Sequence, residues 1–182
     1  MSVMRSLPAL ICLLLASPAP AEDSVLPSGD WSLWTDQAPT AQKHVNVKIT
    51  LEAEADVTGW PDERKERPHM VIECERGKLR AYIATKLIPE VYGDYYDDYL
   101  AMARIGFNDG SPDEWRMRRS VGGKQLHFPK AKIIVKELLV HESMFFEFTP
   151  FSSPPTSTTF NISGFRQAVL PLKDSCKIQT EP

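Results

Sequence analysis

From His44 onward, apolar and polar residues alternate: Val45, Val47, Ile49, Leu51 and Ala53 are separated by Asn46, Lys48, Thr50 and Glu52. A period of two puts the apolar set on one face of a strand. Met70, Ile72 and Cys74 repeat the pattern against Val71, Glu73 and Glu75, and residues 79–84 predict a third strand. Only Arg76-Gly77-Lys78 separates the last two, so they are expected to be antiparallel neighbours. Residues 56–68 read as a polar, charged turn. The alternation lapses over 89–99, resumes over 100–107 and stops at Asn108-Asp109-Gly110, a strong turn. Residues 115–119 and 125–128 flank Gly122-Gly123, the composition of a two-residue hairpin. With those glycines at the turn, Met117 faces Phe128 and Arg118 faces His127.

Over 132–140 the pairs Ile134/Leu138 and Val135/Leu139 have helical spacing, and a short helix is expected there despite the β-branched content. Residues 143–151 and 159–162 predict strands on either side of a Ser/Pro-rich loop at 152–157. Ser163 then suits a helix cap, with Phe165, Ala168, Val169 and Leu172 on one face of a helix over about 163–175. Pro171 is expected to kink it or to begin its last turn. The fold class that follows is α+β: a mainly antiparallel, sandwich-like sheet with a C-terminal helix, in one domain spanning 44–182. Residues 22–43 read as an extended lead-in whose Trp31 and Trp34 dock on that domain.

The start of the chain has a different character. Arg5 precedes an uncharged run rich in Leu, Ile and Ala, and Ala19-Pro20-Ala21 supplies small residues before Glu22. These are the parts of a cleavable export signal over residues 1–21. The run is about half the roughly 20 residues needed to span a bilayer, so the mature form is expected to lack a transmembrane anchor. Cleavage after Ala21 leaves about 160 residues, enough for one domain with a sizeable core, in the periplasm or outside the cell. The net charge is −3, which gives no basic excess for nucleic acid to meet. Cleavage also removes Cys12. Cys74 and Cys176 remain, and an even pair in an oxidising compartment predicts one disulfide between an early strand and the end of the last helix.

Candidate chemistry is sparse. Glu90, Asp94, Asp97 and Asp98 offer oxygen ligands but lack the spacing of a calcium loop. His44, His69, His127 and His141 are scattered, and no metal site or cofactor is expected. No GxSxG elbow is present. Asp113 and Glu114 beside Trp115 could line a glycosidase-like cleft, or simply belong to a turn at Ser111-Pro112-Asp113. Two surfaces suit recognition instead. Tyr92, Tyr95, Tyr96 and Tyr99 offer apolar area with polar tips. Arg116, Arg118 and His127 would form a hairpin face suited to an anionic partner. Arg104, within an apolar strand, is expected to be buried and paired with Glu75 or Asp109.

The order of landmarks carries a resemblance. A Trp lies near the mature start, followed by Met70-Val71-Ile72-Glu73-Cys74, Leu79-Arg80-Ala81-Tyr82-Ile83 and Ala103-Arg104-Ile105-Gly106. Thr149-Pro150-Phe151, Phe160-Asn161-Ile162-Ser163-Gly164-Phe165, Ala168 and Cys176 complete it. This resembles the VasI/TagO-like accessory proteins linked to type VI secretion loci. The resemblance implies a periplasmic accessory role without catalysis, with an envelope or secretion-system protein as partner. Two other roles are open from the residues alone. One is an exported inhibitor of a lysozyme or protease, inserting the 92–99 loop into a cleft. The other is an envelope hydrolase using Asp113, Glu114 or the carboxylates of 94–98.

Overall fold

The computed structural model describes residues 29–36, 46–60, 63–92 and 99–178. The export signal, Cys12, His44 and the 93–98 segment with Asp94, Tyr95, Tyr96, Asp97 and Asp98 lie outside the described residues.

The alternating segments form the strands they predict. β2 (Asn46–Glu52), β5 (His69–Glu75), β6 (Lys78–Ala84) and β7 (Leu100–Phe107) each bury one face. They belong to a nine-stranded sheet with β1 (Ser32–Asp36), β8 (Asp113–Arg119), β9 (Gln125–His127), β10 (Ser143–Phe148) and β11 (Thr156–Asn161). Its order is β1-β2-β5-β6-β9-β8-β7-β10-β11, and every pair is antiparallel. Between β5 and β6 the reversal is Arg76-Gly77, both at positive φ (50° and 75°). Glu75 pairs Lys78 across it, the tight hairpin that right-handed strand twist favours.

The two ends of the strand order approach one another, so the sheet is sandwich-like. The backbone N–H of Glu54, just after β2, donates to the Thr159 carbonyl on β11 at 2.8 Å. The Thr158 hydroxyl donates to the Ala55 carbonyl at 2.8 Å, and the Thr58 N–H donates to the Thr156 hydroxyl at 3.2 Å. Inside lie Ile49, Ile72, Ile83, Leu126, Met117, Ile105, Phe146 and Phe160. The helix α1 (Ala131–Val140) forms as expected and packs on β6, burying Ile134, Val135, Leu138 and Leu139. The fold is therefore α+β, with the helices covering an inner apolar face.

The C-terminal helix departs from expectation in its shape. It is two pieces, α2 (Phe165–Ala168) and α3 (Leu170–Cys176). Pro171 falls in the first turn of α3, where a missing N–H costs no hydrogen bond. Ser163 does not cap it: Gly164, at φ 80°, occupies the N-cap, and the Ser163 hydroxyl donates to the Glu142 carbonyl at 3.4 Å. The predicted face is nonetheless correct, since Phe165, Ala168, Val169 and Leu172 are all buried. α3 packs on β2 and β5, and Cys74 on β5 is bonded to Cys176, with Cα atoms 5.7 Å apart.

Three further segments differ from the sequence reading. Residues 32–36, read as part of an extended lead-in outside the domain, form the edge strand β1 against β2. Trp31 does dock: it is fully buried, its ring 5.1 Å from Phe165, whereas Trp34 is half-exposed. The polar stretch 56–68 contains a second, two-stranded sheet, β3 (Val57–Gly59) with β4 (Arg64–Glu66). Glu66 is buried. Its carboxylate accepts from the Lys86 N–H at 2.6 Å, the Leu87 N–H at 3.4 Å and the Thr85 hydroxyl. The Gly122-Gly123 turn is also wider than two residues. The Ser120 N–H donates to the Gln125 carbonyl at 2.9 Å, so the loop holds four residues, 121–124.

Candidate functional site

The register of the hairpin stands as its residues predict: Arg118 lies opposite His127 in the β8–β9 pair. From there one row of cross-strand partners runs along the outer face of the sheet. Arg118 also pairs Leu100 on β7, and Leu100 bridges to Tyr92. In the other direction His127 pairs Tyr82 on β6, and Tyr82 pairs Val71 on β5. Side chains alternate faces along a strand, so these positions share the face opposite the core. Arg116, two residues before Arg118, is on it as well and is exposed. Two surfaces that look separate in sequence are thus joined, with Tyr92 at one end and His127 near the centre.

His127 is half-buried. Its Nε2 lies 3.1 Å from Gln125 Oε1, and its ring is 4.9 Å from that of Tyr82. Burial pushes its pKa below the ordinary value, and Arg80 and Arg118 push it further down against the attraction of Glu73. The Tyr82 hydroxyl donates to Glu73 Oε2 at 3.1 Å. Burial, then the Glu73 charge and that hydrogen bond, raise the phenol well above its usual range. Glu73 also meets Arg80 at 3.5 Å, and Arg80 meets Glu75 at 2.6 Å. Lys48 sits 5.1 Å over the Trp34 ring. Together these side chains line a shallow depression of about 380 Å³ on the outer face. It offers a charged and aromatic surface suited to recognition.

Of the four candidate tyrosines, Tyr92 and Tyr99 are described and both are exposed. The Tyr92 hydroxyl donates to Glu90 at 3.4 Å. The Arg119 guanidinium lies 4.9 Å over the Tyr99 ring, and Arg119 also donates to the Pro89 carbonyl at 3.3 Å. This cation–π contact ties Tyr99 to β8.

Other candidates do not converge. Arg104 is exposed rather than buried, and its partner is Glu147 at 3.0 Å on neighbouring β10. Leu100, Met102 and Arg104 share the outer face, so the apolar neighbours that suggested burial lie on both sides of that strand. Asp113 and Glu114 open β8, where adjacent residues point to opposite faces. His141 stacks on Phe107 at 4.9 Å and meets Glu137 at 3.3 Å and Asn108 at 3.1 Å. Among the described residues no group of three or more His, Cys, Asp or Glu is placed to hold a metal. The sequence reading missed Trp34, Lys48, Glu73, Arg80 and Tyr82 as members of the outer face. The polar positions of Lys48, Glu73 and Arg80 in alternating strands could have marked the face, but only the order of strands assembles it.

No family model matches the chain, and no curated protein matches it. Among solved structures it is similar to the crystal structure of invasion associated protein B from Bartonella henselae, with a TM-score of 0.52 and 16% identity. The alignment covers 84% of this chain and 97% of that one. At that identity, what the two share is the fold.

Proposed function

We propose that the chain is an exported, non-enzymatic binding module of the cell envelope that engages an acidic protein surface through the outer face of its sheet. The observation that carries this reading is the shared row of Tyr92, Arg118, His127 and Tyr82, with Arg116 beside it. Arginine and tyrosine are the residue types that anchor protein interfaces. A periplasmic setting agrees with the Cys74–Cys176 disulfide and with the export pattern before Glu22. No helix among the described residues is long and apolar enough to cross a membrane. An accessory role in type VI secretion, as the family resemblance implies, would use such a face to hold an envelope component. The fold neighbour carries the name of an invasion-associated protein, and a surface that binds rather than reacts suits either setting.

The test is crosslinking and co-purification from the periplasm with the wild-type chain and with the Arg116→Glu/Arg118→Glu variant. The wild type should recover an envelope protein that the variant, equally stable, fails to hold. Recovery of the same partners by both would overturn the reading.

An exported hydrolase inhibitor is the second reading. It is favoured by Tyr92 and Tyr99, 53% and 56% exposed, which offer aromatic area for insertion into a cleft. Assays against lysozymes and proteases decide it, and absence of inhibition at micromolar concentration removes it.

A further inference from the structure

We propose a saccharide-binding site in the cleft between the β3–β4 hairpin and the turn after β10, at an edge of the molecule that the outer-face row does not use. Gly59 makes the cleft: a Cβ there would meet Pro150 Cβ at 2.9 Å and Leu87 Cδ1 at 3.1 Å. Only glycine lets the hairpin lie this close, and the close approach sets Trp60 beside Phe151. Their rings meet edge to face, centroids 6.0 Å apart at 76°. The Ser153 hydroxyl accepts from the Trp60 backbone N–H at 2.8 Å and donates to the Phe151 backbone carbonyl at 3.3 Å. One side chain therefore ties together the two backbone segments that carry the aromatics, and both rings stay open to solvent, Trp60 51% and Phe151 52% exposed. A large apolar ring held in place and left open to solvent is poised for a ligand.

The rest of the lining selects the ligand. The cleft is open to solvent, has a volume of about 560 Å³ and is walled by Thr58, Glu63, Lys65 and Ser152, a size within the range of small-molecule pockets. Thr58 and Lys65 are direct cross-strand partners. Glu63 and Ser152 hold positive φ (49° and 55°), a conformation neither residue type favours and one that gathers at ligand clamps. A sugar ring has an apolar C–H face and a rim of hydroxyls, each both donor and acceptor. The Trp60 indole meets the face. Glu63 accepts, Lys65 donates, and the Thr58 and Ser152 hydroxyls do either. A proline-rich peptide, the other ligand of open tryptophans, offers carbonyls but few N–H groups, so the acceptor-only Glu63 would have nothing to receive.

The test is titration calorimetry of the chain with an N-acetylglucosamine trimer, a glucose trimer and decaproline. At least one trisaccharide should bind saturably, at least tenfold more weakly to Trp60→Ala and several-fold more weakly to Glu63→Gln. Both replaced side chains are exposed, so the thermal midpoints should stay at the wild-type value. Absence of binding by both sugars, undiminished binding by Trp60→Ala, or binding of decaproline alone would each overturn the proposal.

Discussion

The ring of His127 lies 4.9 Å from that of Tyr82 on the neighbouring strand, which covers the imidazole on one side. Arg118 faces it from β8, and Arg80 and Glu73 reach it from β6 and β5. Protonating His127 would place a second positive charge opposite Arg118, an unfavourable cross-strand pair.

The pH dependence of stability follows from that placement. The folded-state pKa of His127 is depressed, so near the folded pKa the unfolded chain binds more protons than the native one. Its contribution to stability is complete above the ordinary histidine value of about 6.5 and is lost as the pH falls through the folded value. The thermal midpoint should drop as the pH falls below about 6.5, and His127→Phe should flatten part of that slope while keeping a ring against Tyr82. Midpoints measured across this range in both proteins check it; parallel curves would refute it.

Glu66 ties the small β3–β4 sheet to the loop after β6. Replacing it with Ala leaves the Lys86 N–H without its acceptor, and a donor left unpartnered costs about 1–3 kcal/mol when buried; the Leu87 N–H keeps the Thr85 hydroxyl at 3.1 Å. Denaturant unfolding should show a loss of that order or more. Glu66→Gln, which keeps an acceptor oxygen, should lose less.

Trp31 tests whether the chain before His44 belongs to the folded unit. Its side chain is wholly buried against Phe165, and truncating a buried Trp to Ala costs about 3–5 kcal/mol. A midpoint in urea unchanged in Trp31→Ala would show that β1 is only loosely attached.

The Cys74–Cys176 bond joins residues 102 apart. The Cys74→Ala/Cys176→Ala double variant should unfold about 2–5 kcal/mol more readily. A thiol reagent should find neither of these cysteines in the unfolded, unreduced protein. Reaction at both would contradict the bond.

Local patterns made much of this fold legible. The alternation of 44–53 became β2, Arg76-Gly77 became a tight reversal, and the Arg118–His127 register followed from the glycines between them. Elements stabilised by distant partners were not legible. β1 has no alternation of its own to announce it and is recruited by β2. β3 and β4 are three residues each, and their anchor is a buried glutamate, which a hydrophobic pattern assigns to solvent. Arg104 was misplaced because an outer face carrying Leu100 and Met102 imitates a core face. The outer-face site was half visible: Arg116, Arg118 and His127 lie within one hairpin. Tyr82 and Glu73 join them only through the strand order, in which β6 lies beside β9 rather than β7.

The Cys74–Cys176 bond also makes the molecule report on its own synthesis. Cys74 lies in β5, and its partner, the last residue of α3, emerges only after all eleven described strands. A product that stops between Cys74 and Cys176 therefore keeps an unmatched thiol, available to oxidoreductases or to a second broken chain. The finished molecule hides that sulfur in its interior, so thiol reactivity at Cys74 distinguishes incomplete molecules from complete ones.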